Sequence, residues 1–162
     1  MPSFRTSRTA SHAAADMFAL VADVEAYPRF LPLCLGLRVR KRSTGAAGLE
    51  VIVADMDVGY KSIRETFTSK VTLDPANLKI LVEYIDGPFS HLENRWTFRD
   101  TGTPVEPRCS VDFFIDYEFR SRTLGMIVGA VFDRAFRKFS EAFEQRADEV
   151  YGRARGAVAA GS

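Results

Sequence analysis

The residues of this sequence that could do chemistry are few and widely spaced. In the run Ile63 to Leu73, Glu65 has the same alternate-residue parity as Ile63, Phe67, Val71 and Leu73, so on a strand its carboxylate points with those apolar groups. A carboxylate so buried has a raised pKa and can act as general acid or base, or, when protonated, donate to a ligand carbonyl. The plainer reading puts Glu65 where the strand leaves the core, or in an ion pair with an arginine such as Arg95. Tyr60 and Tyr84 offer further hydroxyl donors.

Other chemistries lack their residue patterns. His12 and His91 are the only two histidines, and they lie far apart with no serine or cysteine nucleophile in a recognisable elbow. Cys34 and Cys109 fit no zinc spacing and no disulfide framework, which leaves reduced thiols as the simplest reading. Gly125 and Gly129 fall within a helical stretch and Gly102 stands beside threonines, so no loop cradles phosphates and no nucleotide or other cofactor is implied. Without a catalytic constellation, the chain reads as a binding protein and not as an enzyme. The densest basic run is Arg38, Arg40, Lys41 and Arg42. On a strand Arg38, Arg40 and Arg42 share a face that could meet RNA phosphates or anionic lipid heads, or simply be a solvated outer face.

The remaining residues must supply a scaffold. A chain of 162 residues fits one domain and can bury roughly 70% of its unfolded surface. Apolar residues make up 46%, and phenylalanine alone occurs 13 times, which excludes a disordered chain. The 22 basic and 21 acidic residues nearly cancel, so bulk charge gives no support to DNA binding. Met1 to Ala10 lacks the apolar core of a secretory signal, and Leu124 to Phe132 is too short for the ~20 residues of a membrane span. The expected location is the cytoplasm.

Ser3 to Thr9 reads as a strand, with Ser11 as N-cap of a helix running through Met17, Phe18 and Leu20. Pro28 and Pro32 allow only a short second helix and a corner after Asp23. From Cys34 to about Phe119 the pattern is a meander of six strands, with turns at Gly45–Gly48, Asp57–Tyr60, Asp74–Asn77, Asp86–Pro88 and Thr101–Pro107. Val111, Phe113, Ile115, Tyr117 and Phe119 alternate with Asp112, Asp116 and Glu118, so one sheet face is buried and the other wet. Ile80, Val82 and Tyr84, and Trp96 with Phe98, extend that aromatic face. After Ser121 the period becomes helical, and Leu124, Ile127, Val128, Phe132, Phe136, Phe139 and Phe143 form the stripe of one long helix that must face the sheet. The residues from Gly152 to Ser162 have little to bury and read as a flexible tail.

A helix lying across a curved sheet leaves space between them, and Tyr84, Trp96, Phe98, Phe113, Ile115, Phe132 and Phe136 are the candidates to line it. Each alone is equally explained by core packing; the site reading concerns the group. Tyr27, Phe30, Leu31 and Leu33 form either a greasy lip at the entrance, suited to an isoprenoid tail or a membrane surface, or a staple that fixes the corner.

Three runs carry a resemblance: Asp23-Val24-Glu25-Ala26-Tyr27-Pro28-Arg29-Phe30-Leu31-Pro32-Leu33-Cys34, Gly87-Pro88-Phe89-Ser90-His91-Leu92 with Trp96 and Phe98, and the segment Phe113 to Leu124. In this order they resemble the coenzyme Q-binding protein and ribosome-association toxin A family of the helix-grip, or START-like, superfamily, often labelled polyketide cyclase. The resemblance implies an α+β helix-grip domain over residues 1–151: a seven-stranded curved antiparallel sheet, two short helices and a long C-terminal helix packed on it. It implies a cavity ligand such as ubiquinone or a related polyprenyl lipid, carried in support of respiration with peripheral contact at the inner face of a membrane. Behind that reading come two alternatives, first a ribosome-association inhibitor acting through the surface at Arg38 to Arg42, and last a cyclase or dehydratase using groups such as Glu65 and Tyr84.

Overall fold

The computed structural model describes residues 3–152. The expected tail, from residue 153 onward, lies outside them. β1 (Ser3–Ala10) leads into α1 (Ala14–Ala22) and a 3-10 helix (Val24–Arg29), and six strands follow: β2 (Cys34–Thr44), β3 (Glu50–Tyr60), β4 (Ile63–Asp74), β5 (Lys79–Asp86), β6 (Phe89–Asp100) and β7 (Cys109–Phe119). The chain continues as α2 (Arg122–Arg137) and α3 (Phe139–Tyr151).

The strands form one antiparallel sheet in the order β1-β7-β6-β5-β4-β3-β2. A meander needs only short turns, and the one long connection is the α1 corner that carries the chain from one sheet edge to the other. Register shifts at Cys34/Gly36, Val39/Lys41, Thr68/Ser69 and Phe89/His91 bend the strands, the effect expected of bulges, and the helices fill the concave side. The alternation in β7 is realised, with Val111, Phe113, Ile115 and Tyr117 buried and Phe119 half-buried at its end. The seven-stranded α+β architecture anticipated from the pattern is therefore the one present.

Four local expectations are corrected. Ser11 does not cap α1: the helix begins at Ala14, whose N–H donates to the Asp100 carboxylate at 2.8 Å, a negative group placed where the helix dipole favours one. The turn after β3 lies at Lys61 and Ser62, not at Asp57–Tyr60, and Lys61 itself takes the left-handed conformation (φ 56°) that the sequence marked with no glycine. The C-terminal helix is interrupted at Lys138, where the turn tightens and the Lys138 N–H reaches the Ala135 carbonyl at 3.0 Å. Ile127 does not face the sheet but is 61% exposed, because successive 3.6-residue turns bring Val128, Phe132 and Phe136 inward instead.

Ser121 caps α2 by accepting from the Leu124 N–H at 3.1 Å. Phe143 on α3 is 1% exposed and meets Trp96, Tyr27 and Phe30 edge-on at centroid distances of 5.2, 5.2 and 5.1 Å. It pins α3 to the sheet and to the corner at the same point. Cys34 and Cys109 are unpaired and buried, and burial pushes both thiols up to about 11.

Candidate ligand-binding site

Between the concave face and the helices lies an apolar cavity, of which about 70 Å³ is open to a water-sized sphere. Its floor is the inward-facing side of β3 to β7, including Met56, Val58, Phe67, Trp96 and Ile115. Phe132, Phe136 and Phe139 roof it, Phe143 closes the α3 end, and Tyr27, Leu31 and Leu33 form the side beneath the 3-10 corner. Strand parity explains the floor, and the three-four spacing of the phenylalanines explains the roof.

The lining carries no carboxylate, imidazole, amine or guanidinium. Its polar groups are mostly committed. Trp96 Nε1–H donates to Asn94 Oδ1 at 2.8 Å, and Asn94 Nδ2 donates to the Phe114 carbonyl at 2.9 Å. Tyr27 donates to the Val21 carbonyl, and burial, followed by the nearby Cys34 and Asp23, raises its phenol well above the ordinary range. Ser69 is different: it is 7% exposed, lies opposite Ala54 and Tyr84 in the sheet, and its hydroxyl has no partner among the described residues. One unspent hydroxyl thus faces an otherwise neutral cavity.

Of the candidate lining and lip residues read from the sequence, Tyr27, Leu31, Leu33, Trp96, Ile115, Phe132 and Phe136 line the cavity, whereas Phe30, Glu65, Tyr84, Phe98 and Phe113 do not. Phe98 is buried against Phe18 and Trp96 (5.9 and 6.0 Å), and Phe113 sits between Trp96 and Phe4 (4.7 and 6.1 Å). The concave face is longer than the cavity, so inward parity alone does not place a residue in it. Phe30 lies behind Tyr27, packed on Phe143. Tyr84 turns to Phe89 (5.8 Å), its hydroxyl buried without a partner. Glu65 has the inward parity but is only half-buried beside the β3–β4 turn and is not part of the lining, while Arg95 pairs with Glu93 at 2.6 Å.

Ser69 and Asn94 were not anticipated, yet each shares parity with buried apolar neighbours, Phe67 and Val71 for one, Leu92 and Trp96 for the other. A small polar residue inside an apolar alternation was the available signal. The basic face at Arg38, Arg40 and Arg42 is present but engaged: Arg38 holds Asp57 at 2.7 Å, Arg40 lies 3.6 Å from Asp55, and Arg42 bridges Glu25 and Glu50 at 2.8 and 3.2 Å.

Residues 10–144 match the family described as polyketide cyclase / dehydrase and lipid transport. The ribosome association toxin RatA of Escherichia coli strain K12 is 34% identical over 152 residues, covering 93% of this chain and 90% of the toxin. The mitochondrial coenzyme Q-binding protein of Drosophila melanogaster is 32% identical over 131 residues, 80% of this chain but 52% of that protein. Among solved structures, an 18 kDa protein of Caulobacter crescentus superposes with a TM-score of 0.73 at 32% identity, over 94% of this chain and 99% of that one. A Streptomyces aromatase/cyclase superposes with a TM-score of 0.71 over 91% of this chain and 93% of that one, and its 19% identity makes the likeness one of fold alone. With its START-like architecture, this chain belongs to the polyketide cyclase / dehydrase and lipid transport family, in the company of the RatA toxins and the coenzyme Q-binding proteins.

Proposed function

We propose that this chain binds an apolar ligand, a polyprenyl quinone or a related lipid, in the cavity between sheet and helices, and serves as its carrier or chaperone. The observation that carries the reading is the lining: neutral throughout, aromatic on three sides, with the unpartnered Ser69 hydroxyl placed to donate to a carbonyl oxygen. Binding then draws on apolar burial at about 25 cal/mol per Å², less the cost of immobilising the ligand. The likeness to a coenzyme Q-binding protein supports this choice of ligand.

The available volume holds about five waters at 10–15 Å³ each, well below the roughly 300–1,000 Å³ of drug-sized sites. A quinone ring therefore enters only as lining side chains move apart, and Tyr27, Leu31 and Leu33 on the short corner have the least secondary structure behind them. Titration with a short-chain ubiquinone analogue, followed through the single tryptophan, Trp96, tests the reading. Saturable quenching that Ala135→Phe abolishes by filling the cavity, without adding a second tryptophan, is the expected result. Absence of uptake by the folded wild-type chain would overturn it.

A second reading, association with the ribosome, rests on the 34% identity to RatA. The stripe at Arg38 to Arg42 does not strengthen it, since RNA phosphates would have to displace carboxylates already in place. Cyclase or dehydratase chemistry requires an acid and a base at the substrate, and the lining supplies neither as a carboxylate or imidazole.

A further inference from the structure

We propose that the outer face of α2 joins two copies of this chain in an antiparallel, two-fold dimer. Steps of three and four place Arg122, Gly125, Met126, Gly129 and Asp133 along one side of the helix, away from Val128, Phe132 and Phe136, which face the sheet. The apolar part of that side is uncovered in the single chain: Met126 is 86% exposed and its neighbour Ile127 61%. Beside them an open groove runs between α2 and the end of β7, bounded by Phe119, Gly125, Gly129 and Ala130, with about 450 Å³ accessible to a water-sized sphere. The chain's own packing does not call for the glycines there. A Cβ at Gly129 would meet nothing within 4 Å, and one at Gly125 would touch Phe119 at an ordinary 3.5 Å. Glycine is the poorest helix former after proline, so two of them facing open space mark a surface that another chain approaches closely.

The partner is a second copy because the face is complementary to itself. In an isologous pair, a residue that meets another across the interface has that contact repeated in reverse. Two α2 helices laid antiparallel about a point midway between Met126 and Gly129 bring Met126 of one copy over Gly129 of the other, Gly125 against Ala130, and Arg122 against Asp133, each contact made twice. The most exposed apolar side chain of the helix thus enters the groove at the position that lacks one, and the axes can approach at the short end of the roughly 8–10 Å of packed helices. The charges agree. Arg122 has no carboxylate partner among the described residues. Asp133 accepts from Arg137 at 2.9 Å and from the Tyr117 hydroxyl, and its carboxylate has lone pairs left for a second guanidinium. A contact one helix wide is small, so the dimer is weak and dissociates at roughly micromolar concentrations or above. The inference goes beyond the ligand reading, and association is measured without any quinone.

Sedimentation velocity of the full chain across roughly 1 μM to 1 mM is the test. Wild type should pass from monomer to dimer. Gly129→Leu and, separately, Met126→Glu should each raise the dissociation constant about tenfold or more, although leucine at 129 meets open space in the single chain and favours the helix. Arg122→Glu and Asp133→Lys should each be monomeric alone, since each sets like charges opposite one another across the two-fold. An equimolar mixture of these two variants should dimerise again, because both charge pairs re-form between unlike chains. Circular dichroism checks that each variant is folded. The proposal is overturned if wild type stays monomeric throughout, which leaves α2 to a different partner, if Gly129→Leu and Met126→Glu dimerise as wild type does, or if the mixture of folded charge variants stays monomeric.

Discussion

Replacing Ser69 by alanine should make the protein more stable and a poorer binder. Ser69 is 7% exposed and its hydroxyl has no partner among the described residues. Unlike the fully enclosed Tyr84 and Ser140 hydroxyls it opens on the cavity, so its penalty lies at the low end of the roughly 1–3 kcal/mol of an unsatisfied buried polar group. Alanine removes that cost and forfeits a few tenths of a kcal/mol of strand preference, leaving a net gain below about 1 kcal/mol. For a chain of this size the melting temperature should rise by roughly 1–3 °C. In the complex the same hydroxyl donates to the ligand carbonyl, a hydrogen bond worth ~0.5–1.5 kcal/mol, so the dissociation constant should increase about 3- to 10-fold. Thermal and urea unfolding measure the first effect. Quenching of Trp96, the only tryptophan and itself part of the lining, measures the second on the same sample. The opposite signs are the test: a variant that loses stability, or that gains it while binding the quinone analogue unchanged, would refute the assignment of Ser69.

Phe143→Ala should destabilise by about 3–5 kcal/mol in urea titration, since it empties the site where α3, Trp96 and the Tyr27 corner meet, while Phe143→Leu should cost far less. Asp100→Ala removes the acceptor at the start of α1 and should cost ~1 kcal/mol, with Asp100→Asn largely preserving stability. Cys34 and Cys109 titrate at about 11 in the folded chain against 9.0 otherwise, both through burial, so the unfolded chain loses these protons first. Stability should therefore be indifferent to these groups below pH 9 and fall as pH rises towards 11, a slope that Cys34→Ala with Cys109→Ala should reduce.

What could be read from the sequence follows from the range of each interaction. The alternation of β7 and the phenylalanine spacing of α2 are local patterns repeated over several turns or pleats, and both are realised. The cap of α1 is supplied by Asp100, 86 residues away, which no local pattern could announce. Lys61 adopts a left-handed turn without the glycine or asparagine that normally marks one, so the β3–β4 turn was placed a few residues early. At the site, parity gave the correct face for Trp96, Ile115 and Phe132 but not depth along it, and Phe98 and Phe113 accordingly fall in the solid core. The aromatic residues drew attention because they are large. The residues that distinguish a cavity from a core are instead Ser69 and Asn94, small interruptions in the apolar parity.

Native mass spectrometry of the chain purified gently from a quinone-producing host, with extraction of any bound lipid, tests the central claim most directly. A polyprenyl quinone bound one to one, and lost in the Ala135→Phe variant that fills the cavity, is the predicted result. A folded protein that arrives empty and takes up no added quinone would contradict the ligand reading and leave the likeness to the RatA toxins as the better guide to what the chain does.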